Sequence, residues 1–408
     1  MKYSFLTYLV IFTFFILSCN SSNIQARGDH DNNKKLLTGN AISDINCLKD
    51  TSISYSIYLP SGYSTEKKYP LILAFDPHAN GSLPVEKYDS LAERYGYILI
   101  GSNNSKNGLP MNETEKIVNS LLSEIGIRYS ADSSRIYLMG FSGGARIASL
   151  VALYGGGIKG VIGCGAGFPG SSQPGRSLFD YIGFAGNADF NMNEMLSLDE
   201  QLEEANFRHA LVIFDGKHEW PPVETMEHAF IWNEFCAMKE KLIPKNKKMI
   251  EDYRKWMEET TRNNDNKGDI YKKSVDLQQM IRFLEGLSNT DELKNRLKEI
   301  RESQEFIKAE KEILVMREKE IQEQKMVNEN FFLRDLTWWK GKIMDYGLRI
   351  TNGTNLYEVR MYKRIMSYLS LLAYMNYNNA ESSGDKNNAD FALEVYKIVD
   401  PENAAKIK

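Results

Sequence analysis

Arg135-Ile136-Tyr137-Leu138-Met139-Gly140-Phe141-Ser142-Gly143-Gly144-Ala145-Arg146 decides the fold. The stretch reads as an apolar strand, a turn made almost wholly of small residues, and a helix continuing through Ile147, Leu150 and Val151. Its turn spells G-x-S-x-G, the pattern that lifts a serine out at a sharp strand-to-helix bend. Such a bend needs backbone angles that side chains oppose. Gly140 and Gly144 have no Cβ, so strand and helix can close up on either side of Ser142. Gly143 leaves its N–H at a helix N-terminus, where unpaired donors and the helix dipole favour a developing negative charge. In a chain with 29 glycines the pattern alone says little. Set between a strand and a helix, it marks Ser142 as a nucleophile and Gly143 as an oxyanion donor.

Outward from this turn, strands alternate with helices. Ile53, Tyr55 and Ile57 alternate with serines, a half-exposed strand within 51–60. Residues 69–75 form a continuous apolar run, of the kind buried on both faces of a parallel sheet. Further strands are expected at 97–101, 161–166, 181–185 and 210–214, and helices at 85–95, 113–128, 193–204 and 223–241. The alternation predicts an α/β fold with a doubly wound, mostly parallel sheet over residues 45–243. In such sheets functional groups come from loops at the carboxyl ends of strands. Four loops then matter: Asp76 to Gly81, the turn at Ser142, Gly186 to Asp189, and Asp215 to Pro222.

A serine nucleophile needs an imidazole to take its proton and a carboxylate to fix that imidazole's tautomer. Of five histidines, His30 precedes the fold, His209 begins a strand, and His228 sits in a helix beside Ala229 and Phe230. His78 precedes the serine and suits the oxyanion wall. His218 remains, in a loop whose Gly216 gives it reach. For the acid, Asp180 starts its strand and so lies at the wrong sheet edge, while Asp215 and Glu219 crowd His218 in sequence. Asp189 follows a tight turn at a strand end and is the choice. Its competing role is a turn aspartate bonded to its own backbone.

Three motifs carry a resemblance: Gly140-Phe141-Ser142-Gly143-Gly144, Gly186-Asn187-Ala188-Asp189 and Gly216-Lys217-His218-Glu219-Trp220-Pro221. Residues from about 50 to 243 resemble the α/β-hydrolase superfamily, nearest its polyhydroxybutyrate-depolymerase and feruloyl-esterase type. The resemblance implies a serine esterase working through an acyl-enzyme without a cofactor, with Trp220 and Phe141 as substrate contacts. One departure stands out. Asp76-Pro77 replaces the family's His-Gly after the first buried strand, and proline has no N–H to offer. The backbone of His78 is then the expected second oxyanion donor. The segment from Gly167 to Ser177 is short and rich in small residues, so no large cap is expected over the site.

The N-terminus differs from the rest. Lys2 precedes an apolar run from Phe5 to Leu17, too short for a membrane span and right for a signal-peptide core. Ile16-Leu17-Ser18-Cys19 resembles a bacterial lipobox, which implies cleavage after residue 18 and lipid on Cys19. Residues 19–44 read as a polar tether, and the protein as exported and lipid-anchored at the cell envelope. Of the remaining cysteines, Cys164 reads as a core residue, and Cys47 with Cys236 is the one pair to test. No Cys/His spacing suggests a metal. A formal charge of −4 with both signs mixed gives nothing to attract nucleic acid.

Residues 244–408 read as helical and carry no catalytic constellation. Leu293, Ile300, Ile307, Leu314 and Ile321 recur every seven residues, predicting one long helix with a narrow apolar stripe. The segments 366–379 and 388–399, followed by Asp400-Pro401, resemble one tetratricopeptide unit, with Ala389, Leu393, Tyr396 and Pro401 at its marked positions. Two roles suit this half, buttressing the α/β unit or holding a protein partner or polymer. A chain ending at Ile243 contains every strand and all three catalytic candidates, and is expected to fold alone. A serine peptidase on the same fold, or a non-catalytic envelope scaffold, are the competing functions.

Overall fold

The computed structural model describes residues 37–170, 179–265 and 269–407. The expected signal and lipobox-like motif, and most of the expected tether, lie outside them, as does most of the segment expected to lack a cap. Eight strands make the sheet: β1 (Ala41–Asn46), β2 (Ser54–Tyr58), β3 (Tyr69–Phe75), β4 (Ile98–Ser102), β5 (Ala131–Phe141), β6 (Gly160–Cys164), β7 (Asp180–Gly186) and β8 (His209–Phe214). Their order is β1-β2-β4-β3-β5-β6-β7-β8. β2 runs antiparallel to β1 and β4, while β3 is parallel to β4 and β5. The continuous apolar run of β3 is buried at every position, as central parallel strands are. This is the expected doubly wound, mostly parallel α/β architecture, followed by helices.

Interleaved with the strands are α1 (Ser82–Tyr95), α2 (Met111–Arg128), α3 (Gly143–Tyr154), α4 (Met192–Glu204) and α5 (Val223–Lys239). Then come α6 (Lys247–Asp265), α7 (Ile270–Leu284), α8 (Asp291–Glu302), α9 (Gln304–Glu329), α10 (Leu336–Asn352), α11 (Leu356–Ser383), α12 (Lys386–Val399) and α13 (Pro401–Ala404). β1 overlaps the expected tether. Its pairing slips between Ile42 and Ile45, with Asp44 at φ 56°, and this irregularity hides the two-residue period.

The chain forms two compact units. Of the described residues, the first holds those within Met1–Gly163, Gly167–Ile182 and Leu202–Arg208, and the second those within Cys164–Ala166, Gly183–Gln201 and His209–Lys408. In the first, Leu71, Ile72, Leu73, Tyr137, Leu138 and Met139 are fully buried.

In the second unit, α5, α6 and α7 share one aromatic core. Phe283 of α7 stacks on Tyr253 of α6 with centroids 4.7 Å apart, and packs on Trp232 of α5 at 4.9 Å. Phe235 of α5 meets Tyr253 at 5.4 Å. Residues on either side of position 243 therefore bury each other. A further cluster from α9 to α12 centres on Trp339, Tyr346, Met361, Ile365 and Val395.

The seven-residue stripe is not one helix. Ser303 stops it in an extended conformation and caps α9 by accepting from the Phe306 N–H at 3.2 Å. Ile307, Leu314 and Ile321 are largely exposed, and α9 instead buries Phe306, Ala309, Glu320 and Val327. Of the positions marked in the last helix pair, Ala389 and Tyr396 are buried. Cys47, Cys164 and Cys236 are all buried free thiols, so Cys47 and Cys236 do not pair.

Candidate active site

Ser142 lies in the first unit, between β5 and α3, with φ 52° and ψ −118°. A side chain is rarely held at positive φ. A Cβ on Gly140 would overlap the Gly144 carbonyl, and one on Gly144 would overlap the carbonyl of Phe75 in β3. Both glycines are thus required by close approach. Serine commonly caps a helix through its hydroxyl, yet Ser142 makes no such bond to α3 although it stands at the N-cap. The first-turn N–H groups of Gly143 and Gly144 have no acceptor within their own helix.

Asp189 and His218 lie in the second unit, and the structure brings them together. His218 Nδ1 and Asp189 Oδ1 are 2.9 Å apart. Asp189 is 1% exposed, and the His218 ring packs on Phe190 at 4.2 Å. The same Asp189 oxygen accepts the Asn191 N–H at 2.8 Å, so the turn role and the histidine-orienting role coexist. Backbone bonds knit the two loops: Asn187 N–H to Phe214 O at 2.8 Å and Ala188 N–H to Gly216 O at 2.9 Å. Gly186 must be glycine, since its Cβ would strike the carbonyls of Gly216 and Lys217.

The rival carboxylates are engaged elsewhere. Asp180 pairs with Arg208 at 2.9 Å, Asp215 accepts from Asn187 Nδ2 at 2.9 Å, and Glu219 accepts from the Lys217 N–H at 3.1 Å. Of the other histidines, His209 faces Asp199 at 3.1 Å. His228 is buried against Trp256 with rings 4.3 Å apart, and burial, with Lys272 adding, pushes its pKa down to about 3.

The loop after β3 differs from expectation. The His78 N–H is already donated to Asp76 Oδ1 at 2.9 Å, and the His78 ring is 75% exposed. The next N–H, of Ala79, goes to Asp76 O at 3.3 Å. Asp76-Pro77-His78 closes on itself as an aspartate-capped turn, which spends the donor assigned to the oxyanion. Trp220 and Phe141, the expected substrate contacts, are both buried, 5% and 8% exposed.

Two features escaped sequence reasoning. Arg364 of α11 donates through Nη1 to the Asn187 carbonyl at 3.1 Å, two residues before Asp189, and forks onto the fully buried Glu320 of α9. Asn107, in the loop after β4, places its carboxamide against Gly143. The Asn107-Gly108 dipeptide at a strand's carboxyl end is the signal that marks it. A cavity of about 620 Å³ in the second unit touches Asn187 and Asp215 but neither Asp189 nor His218.

No protein-family model matches the sequence, and no curated protein does. Solved structures do. The chain is similar to the S-formylglutathione hydrolase FrmB of Staphylococcus aureus, at 12% identity and TM-score 0.38 over 44% of this chain and 90% of that one. It is similar to the feruloyl esterase module of Clostridium thermocellum, at 14% identity and TM-score 0.40 over 47% and 87%. It is also similar to esterase B of Lactobacillus rhamnosis, at 15% identity and TM-score 0.42 over 50% and 87%.

Proposed function

We propose that the protein is a serine hydrolase that cleaves carboxylic esters through an acyl-enzyme. The observation that carries this is the 2.9 Å bond between His218 Nδ1 and the buried Asp189, because it leaves Nε2 as the ring's basic nitrogen. Ser142 attacks the ester carbonyl, and His218 takes the hydroxyl proton and gives it to the leaving alcohol. Water then attacks the acyl-enzyme by the same relay and releases the acid. The Gly143 N–H faces the oxyanion. A fluorophosphonate probe tests this directly: it should label the wild type and not Ser142→Ala, with aryl-ester turnover lost in parallel. An unlabelled, inactive wild type would end the proposal.

The lipobox-like Ile16-Leu17-Ser18-Cys19 supports a location at the bacterial cell envelope through lipid on Cys19. Cys19→Ser should release the protein from membranes with its specific activity intact. Persistence of the variant in the membrane fraction with an uncleaved N-terminus would contradict the anchor.

A further inference from the structure

We propose that the carboxamide of Asn107 is the second oxyanion donor, a side chain acting where a backbone N–H of the loop after β3 would ordinarily serve. The inference rests on the serine-hydrolase reading. Three observations in the first unit carry it.

The three residues that follow Asp76 offer no free backbone donor. Pro77 lacks an N–H, the His78 N–H is bonded to Asp76 Oδ1, and the Ala79 N–H is bonded to Asp76 O. A single hydrogen bond from Gly143 leaves a tetrahedral oxyanion half-satisfied, and each missing donor costs about 10²–10³ in rate.

Asn107 stands where the missing donor is needed. A Cβ built on Gly143 would fall on Asn107 Oδ1, with Cγ at 2.9 Å and Nδ2 at 3.4 Å. The carboxamide therefore lies against the residue whose N–H is the first donor. Asn107 carries two carboxamide N–H groups that can turn to an oxyanion, and among the described residues its hydrogen bond is the backbone one to Pro77. A half-turn about Cβ–Cγ exchanges oxygen and nitrogen, which brings an N–H to the Gly143 side.

The position is built. The Asn107 N–H donates to Pro77 O at 2.9 Å, and Lys106 bridges antiparallel to His78, so the loops after β3 and β4 are clipped together. Gly108, at φ 81°, turns the chain immediately afterwards. The clip uses the carbonyl of the proline that removed the usual donor. Gly143 is also glycine for a reason: any side chain there would displace the carboxamide.

The test compares wild type, Asn107→Ala and Asn107→Asp on a soluble aryl ester, with thermal melting as a folding control. Asn107→Ala should lower kcat about 10²-fold with KM within about threefold, the mark of an interaction made only in the transition state. Asn107→Asp keeps the shape but sets a carboxylate against the oxyanion, so it should fall below the alanine variant. Fluorophosphonate labelling of Ser142 should slow in the same order. Equal activity in all three, or a change confined to KM, overturns the assignment while leaving the serine mechanism standing. A wild type that neither labels nor turns over refutes the serine mechanism itself.

Discussion

Replacing Arg364 with methionine removes three bonds to Glu320, at 3.0, 2.9 and 2.7 Å, and the 3.1 Å bond to the Asn187 carbonyl. Glu320 has no exposure, so its carboxylate cannot turn to water for compensation. Breaking one partner of a buried, hydrogen-bonded ion pair costs about 3–5 kcal/mol. The orphaned Asn187 carbonyl adds about 1 kcal/mol. For a unit of this size each kcal/mol moves the melting temperature by about 2–4 °C, so Arg364→Met should melt about 10–20 °C below wild type. The double variant Glu320→Leu with Arg364→Met replaces the pair by apolar groups of similar volume and should recover most of that loss. Calorimetry of wild type, single and double variants at neutral pH supplies the measurement. A single variant within 2 °C of wild type, or a double variant as unstable as the single, would show that the fork does not hold this part of the chain.

His218→Ala should lower kcat by about 10³ or more with little change in melting, since a loop imidazole adds little to the core; a variant keeping a tenth of the activity removes His218 from the relay. Asp189→Asn should be far more damaging than Asp215→Asn in the same ester assay, and the reverse order would reassign the acid. His228 stays neutral in the fold with its pKa held near 3, whereas in the unfolded chain it protonates below about 6.5. The sign is therefore a stability contribution complete above that value and lost as pH falls toward 3, about 3 kcal/mol of it by pH 4.5. Urea unfolding at pH 7 and 4.5 should show His228→Phe losing less than wild type, and equal losses would refute the effect. A chain ending at Ile243 strips α6 and α7 from Trp232 and Phe235 and should be insoluble. Soluble, active material from it would instead support the division at 243.

What the sequence made legible follows the range of the physics involved. The turn at Ser142, the buried strands and the Asp189–His218 pair are written in short segments: small residues where backbones touch, apolar runs, and polar groups at strand ends. The spent donor of His78 is also local, an aspartate two residues before the N–H it captures, with a proline between them that has no N–H of its own. Asn107 lies in the loop after β4, outside the four strand-end loops that carry the candidate residues. Arg364 could not be read at all, since nothing in α11 names a carbonyl 177 residues earlier. The seven-residue stripe misled for the opposite reason. Periodicity is a property of one helix, while burial depends on which neighbours arrive, and those covered Phe306 and Ala309 instead.

The bond from Arg364 to Asn187 also sets a timetable. A chain emerging in order finishes β7 and the turn after it long before α11 exists. At about 5–20 residues per second, the 177 residues between the two partners take on the order of 10–35 seconds to appear. During that interval Gly140 and Gly144 already have the backbone they pack on, but the turn carrying Asp189 lacks its distant clamp. The turn at Asp189 thus waits for its distant partner until α11 has been made. A chain cut by a protease before Arg364 would return the turn to that earlier condition.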